Sequence, residues 1–381
     1  MNLNERHSED GGAAINADSL FIDDGHGSPI VLCGRNTREA RSRGGRALPM
    51  TAALVLVVLL LVVLLLLADF VAHRGWLRRR DYSLDGRLVL ITGAAGGLGR
   101  QLALAFALEG AALVLWDIRR DALDELCRWL AERGVPASAI DAQCVDVADA
   151  AAVEREAEAL RTRRSGPVHV VVNNAAVVHG QPLLGSGASA ERLQRALDVN
   201  VAAHLWTARA FVPRMLDEAG DGGGVLVTVG SIMGSLPAAG LAEYCASKAA
   251  VGQLHACLRW ELRRRRPAAC GGVRCLLVRP YMIDTPLFDG GAPLRLRWLR
   301  RLLPPLDAAD VARCVVRAVQ TRGQEELVLP WHVKWLPPLL ELLPRPVRDA
   351  ALDVAGAECA MDTFRGRGST DWQSMGGVGR R

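Results

Sequence analysis

The segment from Thr92 to Gly99 restricts the possible folds of this chain more than any other feature. It reads Thr-Gly-Ala-Ala-Gly-Gly-Leu-Gly, follows the apolar run Arg87–Thr92 and opens a helical pattern near Leu98. Glycines at such a strand-to-helix turn let the backbone approach a pyrophosphate, and the start of the helix favours its negative charge. We therefore expect a dinucleotide site with contacts from Gly93, Gly97, Leu98 and Gly99.

Apolar runs and helical patterns alternate along the chain from residue 87 onward. This alternation predicts an α/β fold with a Rossmann-type, doubly wound parallel sheet over residues 87–330. The predicted strands are Arg87–Thr92, Ala112–Asp117, Ala142–Val147, Val168–Asn173, Gly224–Gly230, Val273–Arg279 and a last one near Glu326–Pro330.

Two acidic residues follow predicted strands and bear on the choice of cofactor. Asp117 ends the second strand, about twenty residues after the glycines, where a carboxylate accepts the ribose hydroxyls of NAD. It would repel the 2′-phosphate of NADP, so NAD is the expected cofactor, although Arg119 and Arg120 leave NADP as a less favoured option. Asp146 follows the third strand and is expected near the adenine or, alternatively, as a helix N-cap.

Tyr244 and Lys248 lie four residues apart in a predicted helix and therefore share one face. The ammonium can lower the pKa of the phenol, which makes the phenol usable as an acid or base near neutral pH. Ser231 follows a separate strand, and its hydroxyl can hold a substrate oxygen beside the tyrosine. These three side chains together predict a site for hydride transfer.

Six motifs together resemble the short-chain dehydrogenase/reductase superfamily in order and spacing, over roughly residues 85–330. They are the glycine-rich turn, Asn173–Ala176, Asn200, Ser231, Tyr244–Lys248 and Pro280–Thr285. A narrower set is similar to the branch that holds retinol dehydrogenases and lipid-droplet 17β-hydroxysteroid dehydrogenases. That set includes Leu115–Ile118, Leu205–Thr207 and the ending Met361–Arg367.

The resemblance implies a role for each motif residue. Tyr244 is the implied acid/base, and Lys248 lowers its pKa and holds the nicotinamide ribose. Ser231 orients the carbonyl, and Asn200 supports a water relay behind Lys248. The further cofactor contacts that the resemblance implies are Asn174, Tyr244, Pro280, Ile283 and Thr285. The family's usual Asn-Asn-Ala-Gly reads Asn-Asn-Ala-Ala here, so Ala176 stands where glycine is usual.

The region before the α/β domain predicts a membrane anchor. Residues 1–46 are polar and arginine-rich, which predicts a disordered leader, with a transit peptide as the alternative. Residues 47–68 carry no charge and as a helix would span about 33 Å, the thickness of a bilayer core. We expect a single-pass transmembrane helix there, followed by a juxtamembrane linker at 69–86. Arginines flank both ends, so the orientation stays open.

Residues 331–381 are expected to form a short membrane-associated extension. Trp331 and Trp335 precede the proline-interrupted apolar run Leu336–Pro344, which is too short to span a bilayer. The segment Leu287–Leu303 mixes apolar and basic residues and reads either as a bilayer-surface segment or as a solvated helix. A site that opens toward lipid predicts a long, apolar substrate. Together with the resemblance, this favours the endoplasmic reticulum or lipid droplets as the location.

Charge and composition argue against other classes of protein. The 381-residue chain has a net charge of only +5, which does not favour a nucleic-acid partner. Its nine cysteines include no C-x-x-C pair, and no histidine grouping has ligand spacing. We therefore expect reduced thiols and no metal site.

The sequence thus predicts an NAD-dependent oxidoreductase that interconverts a lipophilic alcohol and its carbonyl, with a retinol, hydroxysteroid or long-chain alcohol as substrate. One alternative is an NADPH-dependent ketoreductase of lipid biosynthesis, which Asp117 disfavours. The other is a non-catalytic surface protein of lipid droplets or the endoplasmic reticulum, which the complete set Asn200, Ser231, Tyr244 and Lys248 disfavours. The family usually pairs through the helices that bear Asn200 and Tyr244, so a homodimer is expected.

Overall fold

The computed structural model describes residue 60, residues 63–64 and residues 82–365, with gaps at 186, 219–222, 266–271, 292–293 and 322. Residues 82–365 belong to the second of two units, Phe70–Arg381. The predicted leader 1–46 and nearly all of the predicted membrane helix 47–68 lie outside the described residues. Within the described part, no helix combines the length and the apolar character needed to cross a membrane. The anchor therefore stays a prediction.

Strands and helices alternate through residues 82–365. The strands are β1 Leu88–Thr92, β2 Ala112–Asp117, β3 Ile140–Cys144, β4 Val170–Asn173, β5 Gly224–Val229, β6 Val273–Pro280 and β7 Glu326–Leu329. The helices are α1 Gly97–Leu108, α2 Arg120–Ala131, α3 Ala150–Arg163, α4 Ala190–Leu197, α5 Ala203–Glu218, α6 Ala242–Arg264, α7 Arg297–Leu302, α8 Ala308–Gln320, α9 Leu336–Glu341 and α10 Arg345–Ala355.

The seven strands form one parallel sheet in the order β3-β2-β1-β4-β5-β6-β7. This confirms the predicted doubly wound α/β fold. The third strand differs from its predicted range, because its register pairs Ile140 with Leu113 and Cys144 with Asp117. The strand therefore begins two residues before its predicted range and ends at Cys144, and the pairing with β2 closes with a 3.0 Å hydrogen bond from the amide of Val145 to the carbonyl of Asp117.

The core consists of two apolar layers, one on each face of the sheet. Val89 and Ile91 of β1 point into the layer covered by α1, α2 and α8, whereas Leu88 and Leu90 point into the layer covered by α3, α5 and α6. Side chains alternate along a strand, so a strand that is buried on both faces must be apolar throughout. This requirement explains the continuous apolar runs in the sequence.

The domain begins earlier than the predicted boundary at residue 87. Tyr82 and Leu84 are buried in the layer under α1. The Tyr82 hydroxyl donates a hydrogen bond of 3.1 Å to the carbonyl of Gly223, and the Tyr82 amide donates to the carbonyl of Gln320 at the same distance. The last residues of the predicted juxtamembrane linker are therefore part of the folded domain.

The chain after β7 continues as a short 3₁₀ turn, Trp331–Trp335, and then as α9 and α10. Their outer faces expose large apolar side chains, and Leu342 is 80% exposed. Beyond α10, residues 356–365 return to the domain and contact loops near the carboxyl edge of the sheet. Residues 366–381 lie outside the described part.

Candidate active site

A cavity of about 330 Å³ lies along the carboxyl edge of the sheet. In a doubly wound sheet, a crevice opens at this edge where the strand order reverses, here between β1 and β4. With the exception of Asn200, every site residue predicted from the sequence lines this cavity. These residues are Gly93, Gly97, Leu98, Gly99, Asp117, Asp146, Asn174, Ser231, Tyr244, Lys248, Pro280, Ile283 and Thr285.

The glycine-rich turn connects β1 to α1 in a conformation that side chains would prevent. Gly93 has φ +63°, and a Cβ there would lie 2.8 Å from the Cα of Ala175. A Cβ at Gly97 would lie 2.8 Å from the Cβ of Thr285, so glycine lets Thr285 approach the first turn of α1. No side chain caps the N-terminus of α1. This uncapped terminus at the cavity wall suits an anion such as a pyrophosphate.

The carboxylate of Asp117 is held at the end of β2 and is nearly buried. One oxygen accepts a hydrogen bond from the amide of Ala95 at 3.0 Å, and the other accepts from the amide of Arg119 at 3.1 Å. The Nε of Arg119 lies 3.6 Å from the same carboxylate. The edge of the cavity therefore presents both an acceptor for ribose hydroxyls and a cation within reach of a phosphate.

Asp146 has a partner that the sequence analysis did not anticipate. Its two oxygens accept hydrogen bonds of 2.8 Å from both terminal nitrogens of Arg195, which also lines the cavity. The alternative N-cap role for Asp146 is wrong, because the carboxylate of Asp149 accepts from the first amides of α3. Arg195 lies on α4, far from Asp146 in sequence, and no local pattern links the two residues.

Ser231, Tyr244 and Lys248 converge on the other half of the cavity. Ser231 follows β5, and its hydroxyl accepts a 3.2 Å hydrogen bond from the amide of Met233. The same hydroxyl forms a hydrogen bond with the phenol of Tyr244, a residue that is only 4% exposed. One helical turn later, the Lys248 Nζ lies 5.7 Å from the centre of the Tyr244 ring and donates to the carbonyl of Val229 at 2.9 Å.

Burial dominates the protonation of both groups. It raises the pKa of Tyr244, and the hydrogen bond with Ser231 acts in the opposite direction. Burial also lowers the pKa of Lys248 to about 8, so most of the lysine stays protonated at neutral pH. The lowering of the Tyr244 pKa by Lys248 that the sequence analysis expects stays a prediction.

Asn200 lies behind the cavity wall and does not line it. It sits in a π-helical turn, Asp198–Ala202, that joins α4 to α5, and its side chain is fully buried. The amide oxygen accepts from the amide of Val177 at 2.8 Å, and the amide nitrogen donates to the Val177 carbonyl at 2.9 Å and to the Ser247 hydroxyl at 3.1 Å. Asn200 thus ties the chain after β4 to α6, and its part in a water relay stays a prediction.

Comparison with known proteins agrees with this geometry. The sequence profile described as short chain dehydrogenase matches residues 87–291. The chain belongs to the short-chain dehydrogenase family. Human epidermal retinol dehydrogenase 2 is 35% identical over 286 residues, which cover 74% of this chain and 86% of that protein. The resemblance to the retinol dehydrogenase branch is therefore confirmed.

Two solved structures of the family resemble this fold. A short-chain dehydrogenase/reductase from Burkholderia phymatum in complex with NAD has a TM-score of 0.58 and 28% identity, and it covers 71% of this chain and 96% of its own. A metagenomic short-chain oxidoreductase in complex with NADP has a TM-score of 0.52 and 25% identity, with coverages of 65% and 97%. As a short-chain dehydrogenase, this chain is an oxidoreductase that acts on CH–OH groups.

The part of the cavity around Tyr244 also contains residues to which the sequence motifs assigned no role in the site. The ring of Phe288 meets that of Tyr244 edge to face, with centroids 5.4 Å apart. Met361, near the C-terminus, is buried against Tyr244 and Leu241. The sequence resemblance includes Met361 but gives it no role in the site, and only the return of the chain after α10 brings this residue next to Tyr244.

The arrangement at the end of β2 predicts that substitutions of Asp117 and Arg119 affect the binding of different nucleotides. Asp117→Ala should weaken NADH binding about 10- to 100-fold, because hydrogen bonds to a charged acceptor contribute about 1.5–3 kcal/mol. Arg119→Ala should leave NADH binding unchanged and weaken NADPH binding. Fluorescence titration of both variants with both nucleotides tests this prediction, and equal losses for the two nucleotides in Asp117→Ala would contradict it.

The buried lysine predicts a distinctive dependence of stability on pH. The pKa of Lys248 is about 8 in the folded chain and 10.5 as the ordinary value, so between these values the unfolded chain binds more protons. The free energy of unfolding contributed by Lys248 therefore rises as pH increases from about 8 to 10.5. Urea unfolding of wild type and Lys248→Met across this range should show wild type gaining stability relative to the variant. Parallel pH profiles would refute the depressed pKa.

Proposed function

We propose that this short-chain dehydrogenase uses NAD to interconvert a lipophilic alcohol and its carbonyl, with Tyr244 as acid/base. The observation that carries the proposal is the convergence of Ser231, Tyr244 and Lys248 on the cavity that also contains the glycine-rich turn. One end of the cavity suits a dinucleotide, and the other presents a buried phenol to an apolar space. Hydride transfer requires that combination.

The residues present fit a dinucleotide cofactor. The uncapped N-terminus of α1 suits the pyrophosphate, and the Asp117 carboxylate offers acceptors for ribose hydroxyls. The proposed contacts at the nicotinamide end are Asn174, Pro280, Ile283 and Thr285, together with Lys248. When bound, the nicotinamide supplies the acceptor or donor of the hydride.

Side chains of the protein then bind the substrate oxygen and transfer the proton. In carbonyl reduction, the Ser231 hydroxyl holds the carbonyl oxygen, and the Tyr244 phenol gives its proton to that oxygen. In alcohol oxidation, the Tyr244 phenolate takes the hydroxyl proton. The ammonium of Lys248 favours the phenolate, because an opposite charge nearby favours the ionised form. Asn200 holds the chain around α6 in place and is proposed to support the water relay behind Lys248.

The walls of the substrate half favour an apolar substrate. Side chains of Met233, Leu241 and Phe288 pack in one cluster with Tyr244, and Val333 and Leu336 also line the cavity. Few charged groups lie there to bind a polar substrate. We therefore propose a retinol, a hydroxysteroid or a long-chain alcohol, all of which would gain from burial of their carbon skeletons.

A second candidate is the use of NADPH for carbonyl reduction. The guanidinium of Arg119 lies beside Asp117 and is partly exposed, so a 2′-phosphate could bind there if the carboxylate moved away. Asp117 is held by two backbone amides, which favours the carboxylate in its present place and hence NAD.

We further propose that the enzyme works at a lipid surface. Large apolar side chains are exposed on or directly after α7, α9 and α10, namely Trp298, Leu302, Leu339, Leu342 and Val347. Arginines lie near them in sequence, at positions 295, 300, 301, 345 and 348. Amphipathic surfaces with arginine borders favour the interface of an anionic bilayer. Together with the predicted helix 47–68, this surface supports a location on the endoplasmic reticulum or lipid droplets.

Pairing of two chains through α5 and α6 is proposed as the oligomeric state.

Tyr244→Phe should reduce turnover by about 100- to 10,000-fold, the usual contribution of a general acid/base, and lower NADH affinity far less than turnover. The assay is NAD reduction with all-trans-retinol, a 17β-hydroxysteroid and a long-chain primary alcohol. Tyr281→Phe provides a matched control, since Tyr281 also lines the cavity and should retain activity.

Two outcomes would contradict the proposed function. Wild type that binds NADH and turns over none of the three alcohols would favour the non-catalytic alternative. Equal activity of Tyr244→Phe and Tyr281→Phe would remove Tyr244 from the chemistry.

The predicted helix 47–68 makes the full chain an integral membrane protein. The chain should therefore remain in the membrane pellet after extraction with alkaline carbonate, which strips peripheral proteins. Replacement of Leu59 and Leu60 by arginine should release a large fraction, because each charge at a helix centre costs about 2.5–3.5 kcal/mol on insertion. Release of the wild-type chain by carbonate would refute the anchor.

A further inference from the structure

Residues 356–365, the C-terminal strap, leave α10 and return across the substrate half of the cavity. Gly356 ends α10 with φ +97°, a left-handed conformation typical of glycine after a helix. Its amide donates to the carbonyl of Asp353 at 2.9 Å, so the turn is closed by the helix itself. After this turn the chain runs back toward α6.

Hydrogen bonds fix the strap at both ends. The amide of Ala239, just before α6, donates to the carbonyl of Ala357 at 2.9 Å. At the other end, the amide of Arg365 donates to the carbonyl of Asp289 at 2.9 Å, and the Thr363 hydroxyl donates to the carbonyl of Gly290 at 2.6 Å. The strap is therefore joined to two separate loops that border the cavity.

Glycines on these loops leave room for the strap. Gly180 has φ +63°, and a Cβ there would lie 2.7 Å from the Cγ of Phe364. Gly240 has φ +75°, and a Cβ there would lie 2.8 Å from the Cβ of Met361. Since heavy atoms do not approach so closely, both positions require glycine for the strap to lie where it does.

The strap places Met361 beside the reactive phenol. Met361 is only 9% exposed and packs in one cluster with Leu241 and Tyr244, with Phe288 and Phe364 against the same cluster. Met361 also lines the cavity. A methionine side chain is flexible and apolar, so it can adapt to different hydrocarbon shapes.

We propose that the C-terminal strap forms the substrate-facing wall of the active site and that Met361 determines which apolar alcohols fit beside Tyr244. This inference rests on the proposed function and specifies its substrate site. The strap shapes the space for the carbon skeleton, whereas the proposed cofactor half is formed by other segments, the glycine-rich turn and the ends of β2, β4 and β6.

Substitutions at Met361 test whether this side chain limits the space for the substrate beside Tyr244. Met361→Ala should raise kcat/KM for a bulky 17β-hydroxysteroid relative to a straight-chain primary alcohol by about 10-fold or more, because single methylene differences in apolar pockets change selectivity about 10- to 200-fold. Met361→Phe should shift the ratio in the opposite direction. NADH affinity should stay the same in both variants, which also shows that they are folded.

A pair of glycine substitutions tests the position of the strap. Gly180→Ala and Gly134→Ala both place alanine at a positive φ, +63° and +83°, but only Gly180 has a neighbour within 4 Å. The backbone strain is therefore matched, and only Gly180→Ala displaces Phe364. We expect Gly180→Ala to raise KM for the alcohol about 10-fold at unchanged NADH affinity, and Gly134→Ala to leave both unchanged.

A binding measurement separates this inference from the proposed function. All-trans-retinol is fluorescent, so its affinity for each full-length variant can be measured without turnover. Altered retinol affinity in Met361→Ala and Gly180→Ala, with Gly134→Ala as wild type, supports the strap as substrate wall even if turnover fails. Unchanged affinity and unchanged selectivity in both variants would overturn it, whereas absence of turnover in wild type bears only on the proposed function.

Discussion

The site depends on the parallel pairing of β1 with both β2 and β4. The connections from β1 to β2 and from β3 to β4 cover different faces of the sheet, so the chain leaves a crevice at the carboxyl ends of β1 and β4. The Thr92 hydroxyl holds this edge together, because it accepts hydrogen bonds of 3.1 Å from the amides of Asn174 and Ala175. That junction positions the glycine-rich turn and the backbone of Asn174 and Ala175, which line the cavity.

Burial is the main cause of the pKa shifts of Tyr244 and Lys248. Low solvent access disfavours the charged form of each group, so it raises the pKa of Tyr244 and lowers that of Lys248. The two effects oppose the mutual attraction of a phenolate and an ammonium on the same helix face. The Val229 carbonyl and the Ser231 hydroxyl offset part of the cost of burial by hydrogen bonding.

The two halves of the cavity have different origins in the chain. Most of the proposed cofactor contacts lie at the ends of β1, β2, β4 and β6 or in the turns that directly follow them, where the strand end places each residue. The substrate half combines α6, the loop after β6 and the strap, which are brought together from distant parts of the chain. Met361 and Tyr244 are 117 positions apart and nevertheless pack in one cluster.

The sequence by itself determined the order of strands and helices, the glycine turn, Asp117 at the end of β2, and the shared face of Tyr244 and Lys248. These features follow from periodicity and spacing, which depend only on residues close together in the chain. Tertiary structure alone decided the pairing of Asp146 with Arg195, the end of β3, the burial of Tyr82 and the arrival of Met361 at the site. Each of these depends on contacts between distant segments, whose geometry is set by the packing of the whole domain rather than by local sequence.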